Sequence, residues 1–299
     1  MRVLITGGKG FLGAWIARRL AARGFSLRIF DVKDDRRLVA AIAGEKTAAA
    51  ADWRVGDIVS TDDVRAAADG CDAIVHLAGV LTPDCAADPL RGAQINLIGT
   101  LNVFEAARAH RIARIVYTSS AGVFGPGSGS APLPQSHYGT FKLACEGSAR
   151  SYFNDHGLAS IGFRPYIVYG PGRETGLTAG PTLACRAAAH GEAYTIGYTG
   201  TAGLIHVDDV AAAYEAAVMH EPDGVHVFNL NGVSASNEEV IAEIHRAAPE
   251  ARIACKGPAL LMPAAVAADD LDRVLGGLPR TSLREGIAQT VAWYREGRW

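Results

Sequence analysis

Thr6-Gly7-Gly8-Lys9-Gly10-Phe11-Leu12-Gly13 is the stretch that decides the fold of this 299-residue chain. The apolar run at residues 1–6 has the composition of a short β-strand, and residues 14–20 have the apolar spacing of a helix. A second predicted strand, residues 26–30, ends on Asp31. The order of strand, glycine turn, helix, strand and acid is typical of a βαβ unit whose turn approaches a phosphate.

The glycine turn and Asp31 have complementary roles in a dinucleotide site. Glycines permit the tight turn and let the backbone approach a pyrophosphate, and the following helix offers unpaired N–H groups and a partial positive charge. Asp31 lies eighteen residues after Gly13, where a carboxylate can bind both hydroxyls of the adenosine ribose. That carboxylate would repel a 2′-phosphate, so the pattern favours NAD over NADP, although Arg36 and Arg37 are nearby. The alternative is a glycine-rich turn without a ligand.

The composition describes a globular chain with no sign of a polyanionic partner. It is 49% apolar and 20% charged, and its net charge of −2 gives no basic field for nucleic acid or an anionic membrane. No apolar run reaches the roughly 18 residues of a membrane span, and the N-terminus has no signal-peptide layout. The five cysteines are scattered without metal-ligand spacing, so we expect buried thiols in a reducing cytoplasm and no metal site.

Strands and helices continue to alternate after Asp31. Apolar runs predict buried strands at 73–77, 113–118 and 159–163, and the segments between and beside them predict helices at 61–68, 90–109 and 138–155. Such alternation means parallel βαβ units and a doubly wound sheet, whose ligands bind at the carboxyl ends of the strands. One cleft edge should therefore collect the residues that follow strands, namely Gly7, Asp31, Asp57, Gly79 and Ser120.

Tyr138 and Lys142 lie four residues apart on a predicted helix, and Ser120 lies eighteen residues upstream of the tyrosine. An i, i+4 spacing places two side chains on one helix face, about 5–6 Å apart at Cβ. An ammonium there stabilises a phenolate, which makes Tyr138 a candidate for proton transfer, and Ser120 can hydrogen-bond the same substrate oxygen. Alone, the spacing is a weak signal because exposed helices produce such pairs by chance.

The chain resembles the extended short-chain dehydrogenase/reductases, the NAD-dependent epimerase/dehydratase family, in order and over essentially its whole length. Besides the glycine turn, the matching segments are Gly56-Asp57-Ile58, His76-Leu77-Ala78-Gly79, Asn96-Leu97-Ile98-Gly99-Thr100-Leu101-Asn102, Tyr117-Thr118-Ser119-Ser120, Tyr138-Gly139-Thr140-Phe141-Lys142, Tyr169-Gly170-Pro171-Gly172 and His206-Val207-Asp208-Asp209-Val210-Ala211.

The resemblance implies an α/β fold with a Rossmann-type doubly wound parallel sheet and a small C-terminal substrate-binding subdomain. We expect an NAD-binding domain over residues 1–165. Residues 166–299 are then mainly the smaller subdomain, with a segment at about 203–230 that returns to the first domain.

The resemblance also implies roles for individual residues. Tyr138 is the general acid/base, Lys142 binds the nicotinamide ribose, and Ser120 orients and polarises the reacting oxygen. The implied substrate contacts are Ser120, Ala121 and Arg173. The implied NAD-binding residues are Gly7, Gly10, Phe11, Leu12, Asp31, Asp57, Ile58, Leu77, Ala78, Gly79, Asn96, Tyr138, Lys142 and Tyr166.

Departures from the family pattern bear on the substrate. Ser120-Ala121-Gly122 stands where 4,6-dehydratases have Thr-Asp-Glu, so water elimination is not expected. Ile167 occupies the position of an asparagine that helps bind the substrate diphosphate in nucleotide-sugar epimerases, and Ala202-Gly203 replaces their Arg-Asp. Neither isoleucine nor alanine can donate to an anion. Arg173 is the remaining candidate anion contact, and Arg186 is a weaker one.

Other polar residues favour structural roles. His76 ends a buried strand and is interpreted as a packed histidine. Asp208 and Asp209 are interpreted as helix caps rather than metal ligands. The segments that begin at Ser236 and Ser282 have the pattern of capping boxes.

Three functional hypotheses remain. The first is an NAD-dependent dehydrogenase of carbohydrate metabolism that acts on a secondary alcohol of a small hydroxylated molecule, such as a free sugar or sugar acid. The second is a nucleotide-sugar epimerase that retains NAD. The third is a dinucleotide sensor without catalysis, although such proteins typically lose the tyrosine or the lysine. The apolar stripes of the helices at 90–109 and 138–155 predict a homodimer, with ordinary core packing as the alternative.

Overall fold

The structure, a computed structural model, describes residues 1–126, 131–221, 223–260, 266 and 269–297. Within these ranges the strands are β1 (Arg2–Thr6), β2 (Ser26–Asp31), β3 (Asp52–Val55), β4 (Ala73–His76), β5 (Arg114–Thr118), β6 (Ser160–Pro165), β7 (Ile167–Tyr169), β8 (Ala193–Ile196), β9 (Thr201–His206), β10 (Val225–Leu230), β11 (Val233–Ser236) and β12 (Arg252–Cys255). The α-helices are α1 (Phe11–Ala22), α2 (Arg37–Ala43), α3 (Glu45–Ala50), α4 (Thr61–Ala68), α5 (Thr82–Ala87), α6 (Pro89–Ala93), α7 (Gly99–His110), α8 (His137–His156), α9 (Gly180–His190), α10 (Val207–Met219), α11 (Asn237–Ala247), α12 (Leu271–Leu275) and α13 (Leu283–Arg295).

A seven-stranded parallel sheet forms the centre of the molecule, in the order β10-β6-β5-β4-β1-β2-β3. Ile5 of β1 lies beside Ile29 of β2 on one side and Val75 of β4 on the other. β4 is buried along its whole length, as expected of a parallel strand that helices cover on both faces. The predicted doubly wound parallel sheet is confirmed.

Helix α1 explains how the first segment of the chain is fixed on this sheet. Its apolar residues Trp15, Ile16 and Leu20 are buried against Val3 and Ile5 of β1. Full burial of a large apolar side chain contributes about 1.5–3 kcal/mol to stability, so this stripe anchors the helix firmly. Because the helix follows β1 directly, its N-terminus lies at the carboxyl edge of the sheet.

The C-terminal part of the chain contributes to the large sheet and also to two smaller ones. β7, β9 and β11 form a three-stranded sheet, and β8 pairs with β12. A separate hydrophobic cluster, which includes Ile167, Ile196 and Ile244, connects these strands with α9, α11 and α13. β10 returns to the large sheet beside β6, and α10 packs against α1.

The helix predicted over residues 90–109 is not continuous. α6 and α7 are separated by a π-turn at Gln94–Ile98, in which the Gly99 N–H donates to the Gln94 carbonyl oxygen five residues earlier. The Asn96 carbonyl instead accepts from the side chains of Thr100, at 2.7 Å, and Cys145, at 3.2 Å. These side-chain donors let the backbone widen at Asn96, a feature that periodicity does not reveal.

The helix caps agree with the sequence analysis in two of three places. Ser236 and Ser282 both form capping boxes, as predicted. The interpretation of Asp208 and Asp209 as caps is wrong in detail, because the cap of α10 is His206, whose ring nitrogen accepts from the Asp208 N–H at 3.4 Å. Both aspartates lie in the first helical turn, where their charge favours the helix dipole.

The sequence predicts buried cysteines and no membrane span, and the structure bears on both predictions. All five cysteines are free thiols; four are buried, and Cys255 is partly exposed. None of the helices in the described ranges combines the length and the hydropathy that crossing a membrane requires.

Candidate active site

A cavity of about 1160 Å³ follows the carboxyl ends of the central strands. We call its two parts the cofactor half and the substrate half. The cofactor half is lined by Gly7 and residues 9–13, 30–32, 56–58 and 77–79, and the substrate half by residues 118–122, 135–136, 165–168 and 172–178 with Tyr138. Every residue that the sequence analysis assigned to the cofactor, the substrate or the catalytic trio lines this cavity.

Gly7 shapes the turn in the cofactor half. Its φ is +68°, a left-handed conformation that other residues adopt at a cost, and an added Cβ would lie 2.7 Å from the Ala78 backbone nitrogen. The neighbouring Gly10 begins α1 with no side-chain cap, and the first turn of α1 has no acidic residue. The unpaired N–H groups of that turn are therefore available to an anion.

Asp31 lies at the end of β2, beside the glycine turn. Its carboxylate accepts from the Val32 N–H at 2.8 Å and from the Lys9 N–H at 3.3 Å. Burial raises the pKa of Asp31, and the positive charge of Lys9 opposes that shift. The Lys9 Nζ is 3.8 Å from the nearer carboxylate oxygen.

The middle of the cavity has room and polar atoms for a bound dinucleotide. An added Cβ on Gly79 would lie 2.6 Å from Asn96 Oδ1, so only glycine leaves this wall open. Among the described residues, Asn96 Oδ1 and the Tyr166 hydroxyl are buried without a hydrogen-bond partner. Buried polar atoms normally have partners, so these two atoms fit a ligand or water in the cavity.

Tyr138 and Lys142 lie on the first turns of α8. Ser136 caps this helix by accepting from the Gly139 N–H at 3.1 Å, which places Tyr138 immediately at the cavity wall. Lys142 is buried, its Nζ donates to the Thr118 carbonyl oxygen at 2.8 Å and it lies 5.8 Å from the centre of the Tyr138 ring. The structure thus brings the two residues together, and the hydrogen bond to the last residue of β5 holds the ammonium in place.

Ser120 lies close to the Tyr138 ring and its Oγ accepts from the Gly122 N–H at 3.0 Å, whereas the Ser119 hydroxyl donates its proton to a buried carboxylate. A Cβ on Gly122 would be 3.2 Å from Ser120 Oγ and 3.5 Å from Tyr138 Cδ1, so these two side chains border the same small space. The Ser119 hydroxyl instead donates to Glu146 at 2.5 Å, within a buried ion pair between Glu146 and Arg164. This contrast supports the choice of Ser120.

Arg173 lies in the wall of the substrate half. Its guanidinium donates to the Val168 carbonyl oxygen and, at 2.8 Å, to Thr178 Oγ1. Among the described residues it has no ion pair with a carboxylate. Burial lowers its pKa to about 10, with the Tyr198 and Tyr138 phenols as the opposing groups, so the side chain stays positively charged at neutral pH.

Ile167, Ala202 and Arg186, the other positions that bear on anion binding, differ in their access to the cavity. Ile167 lines the substrate half with an apolar side chain. Ala202 is buried in the small sheet and does not line the cavity. Arg186 is paired with Glu174 and is likewise outside the lining, so it is a poorer anion contact than Arg173.

His76 is buried and packed, as the sequence indicates. Its ring is 2.7 Å from Thr6 Oγ1 and 3.0 Å from Thr100 Oγ1, and burial lowers its pKa to about 3. It therefore ties β4 to β1 and to α7 as a neutral ring.

Sequence reasoning missed the apolar and polar rim of the cavity. These additional lining residues are Val80, Leu81, Pro83, Gln135, Leu177, Thr178 and Leu260. Pro83 lies in α5, and the others lie in loops that no motif marks. Leu81 and Leu177 are exposed large apolar residues. Apolar residues in connecting segments are a weak sequence signal, because they belong to no motif and no periodic pattern.

The fold and this cavity define the class of α/β enzymes that bind a dinucleotide at the carboxyl edge of a parallel sheet. A family model described as the NAD dependent epimerase/dehydratase family matches residues 3–230. The chain belongs to this NAD-dependent enzyme family, which is of the extended short-chain dehydrogenase/reductase type.

Several characterised proteins are similar to the chain. The UDP-glucose 4-epimerase of Mycolicibacterium smegmatis is 31% identical, with 99% of each chain covered. The crystal structure of Thermus thermophilus UDP-glucose 4-epimerase in complex with NAD has a TM-score of 0.84 at 25% identity, with 99% of each chain covered. A uronate dehydrogenase of Pseudomonas syringae is 29% identical over 54% of this chain and 58% of its own length.

Proposed function

We propose that this NAD-dependent enzyme oxidises a secondary alcohol, or reduces the matching ketone, on a small hydroxylated substrate that has an anionic group, such as a sugar acid. The observation that carries the proposal is that Arg173 and Ile167 both line the substrate half. An isoleucine stands at the expected diphosphate contact, while a cation without a carboxylate partner among the described residues lines the wall close to Tyr138.

Arg173 suits a compact anion. Two of its nitrogens are already directed by Val168 and Thr178, so the guanidinium plane is oriented before a ligand arrives. A planar, fixed guanidinium binds a carboxylate through paired hydrogen bonds, which are stronger than neutral ones. Orientation in advance reduces the entropy lost on binding.

The catalytic trio supplies the proton chemistry. In the oxidative direction Tyr138, as phenolate, removes the proton of the substrate hydroxyl, and Ser120 donates a hydrogen bond to the same oxygen. Lys142 stabilises the phenolate by its positive charge, and the Thr118 carbonyl keeps the ammonium in place. When bound, NAD would supply the hydride-accepting chemistry for the alcohol carbon. Gly7, Asp31 and Asn96 are proposed to bind it.

The test is to incubate purified protein with NAD and a panel of aldonates, uronates, free sugars and polyols, and to follow NADH by its absorbance. We expect turnover with acidic substrates and little with neutral polyols of the same size. Parallel reactions contain UDP-sugars, whose products are separated chromatographically. Epimerised UDP-sugar without net NADH would overturn the proposal.

The second candidate function is a nucleotide-sugar 4-epimerase that retains NAD. It is favoured by the full-length similarity to the M. smegmatis UDP-glucose 4-epimerase and by a cavity large enough for more than the dinucleotide. The third hypothesis, a catalytically silent sensor, has less support because Tyr138 and Lys142 both line the cavity.

We also propose that the enzyme is a cytoplasmic homodimer. The free thiols fit a reducing compartment. Ile98, Leu90 and Phe153, on or beside α6, α7 and α8, are exposed apolar residues that fit a second copy of the chain. Sedimentation equilibrium, with Ile98→Lys as the disrupting variant, tests the dimer.

A further inference from the structure

Lys9 is the one residue of the glycine turn that has a long charged side chain, and it lies against Asp31. Its Nζ is 3.8 Å from Asp31 Oδ1, while its backbone N–H donates to the other oxygen of the same carboxylate at 3.3 Å. The Lys9 side chain is 31% exposed and that of Asp31 is 10% exposed. Both side chains line the cavity, and the ammonium is the more exposed partner of the pair.

Neighbouring arginines have closer acidic partners than Lys9 has. Arg36 pairs with Asp34 at 2.7 Å. Arg37, which lines the cavity together with Asp35, pairs with that aspartate through two nitrogens, at 2.9 and 2.7 Å. The Lys9–Asp31 separation is longer than a hydrogen bond, so the ammonium is attracted to the carboxylate without being fixed by it. A lysine on a flexible stem can turn toward another anion within a few ångströms.

We propose that Lys9 converts the ribose end of the cofactor half into a site for a 2′-phosphate, so that this enzyme binds NADP as well as NAD. A carboxylate at the position of Asp31 disfavours a 2′-phosphate by like-charge repulsion. Lys9 cancels that charge and supplies three donors to an anion at the same place. Lys9 thereby reduces the discrimination against NADP that Asp31 alone would cause.

The test measures binding rather than turnover. Isothermal titration of the full chain with NAD and NADP gives the ratio of their Kd values, and a second titration compares 5′-AMP with adenosine 2′,5′-bisphosphate, which differ only in the 2′-phosphate. The variants are Lys9→Ala and Lys9→Gln. Lys33→Ala is the matched control, because Lys33 is an exposed lysine near Asp31 that does not line the cavity.

We expect the native protein to bind NADP with a Kd within about 30-fold of that for NAD. Lys9→Ala and Lys9→Gln should raise the NADP/NAD ratio about tenfold, with the Kd for NAD changed less than threefold, and higher salt should reduce this effect. Lys33→Ala should leave the ratio unchanged. The proposal is overturned if NADP binding is too weak to measure at millimolar concentration. It is also overturned if the Lys9 variants lose affinity for NAD and NADP equally. Unchanged thermal unfolding of both variants separates these outcomes from misfolding.

Discussion

The cofactor half and the substrate half of the cavity are built by different means. In the cofactor half the decisive residues are glycines. An added Cβ would lie 2.7 Å from the Ala78 backbone nitrogen at Gly7 and 2.6 Å from Asn96 Oδ1 at Gly79. In the substrate half they are side chains such as Arg173 and Ile167, which come from loops and a short strand of the smaller sheet. The backbone therefore determines that a dinucleotide can fit in the cofactor half, and side chains determine which substrate fits in the other half.

The largest effect is expected at Tyr138, where the two halves meet. Tyr138→Phe removes the proton acceptor and should lower kcat about 10²- to 10⁴-fold, while the Kd for NAD changes less than about threefold. Steady-state kinetics and isothermal titration measure the two quantities. Tyr152→Phe is the control on the same helix, because its hydroxyl binds Glu105 away from the cavity. A kcat reduced less than tenfold by Tyr138→Phe is incompatible with the proposed role.

A methyl group on Gly7 tests whether the backbone sets cofactor binding. Gly7→Ala strains a φ of +68° and also forces the turn away from Ala78, so we expect the Kd for NAD to rise on the order of 100-fold. Gly157→Ala is a matched control, since Gly157 has a φ of +66° and nothing within 4 Å of an added Cβ. Equal effects on NAD binding in the two variants would show that strain alone, and not the contact with Ala78, is responsible.

Arg173→Gln tests whether a side chain sets substrate choice. Loss of the cation should raise KM for an acidic substrate about 10- to 30-fold, with little change in kcat or in the Kd for NAD. Arg186→Gln removes a cation that does not line the cavity, although its partner Glu174 does, and should change KM less than threefold. If both variants bind the acidic substrate as the native protein does, its anionic group is recognised elsewhere.

The smallest effect is a pH dependence confined to the cofactor half. Burial raises the pKa of Asp31, so this carboxyl begins to protonate at a higher pH than an exposed aspartate. NAD is expected to bind the ionised form, so affinity is retained above the folded-state pKa and lost as pH falls through it. We expect the Kd for NAD to rise a few-fold between pH 7.5 and 5. Asp31→Asn should bind NAD more weakly and without this dependence.

The cofactor half could be predicted from the sequence because its residues lie in short runs at the ends of successive strands. Each of its segments follows a strand of the parallel sheet, so strand ends and motif positions coincide, as at Gly7, Asp31 and Gly79. Residues 10–12 likewise begin the helix that follows β1. Turn geometry and the helix dipole indicated the glycine turn and Asp31, and the family resemblance implied the remaining positions. All of these predicted cofactor residues line one cavity.

The substrate half and the long-range contacts could not be predicted in the same way. Gln135 and Leu260 reach the cavity from loops without a periodic pattern. Asp209 accepts two hydrogen bonds from Thr281, seventy-two residues later, which local spacing cannot show. The π-turn at Asn96 depends on side chains of Thr100 and Cys145, and the latter belongs to a different helix.

The strand order of the large sheet has a consequence for the synthesis of the protein. Strands β1 to β5, which carry the whole cofactor half of the wall, are complete once residue 118 has been added, whereas the edge strand β10 ends at residue 230. At about 5–20 residues per second, the ribosome needs roughly 5 to 20 seconds to make the intervening chain. The nascent protein therefore has the strands that carry the cofactor half of the cavity before it has those of the substrate half.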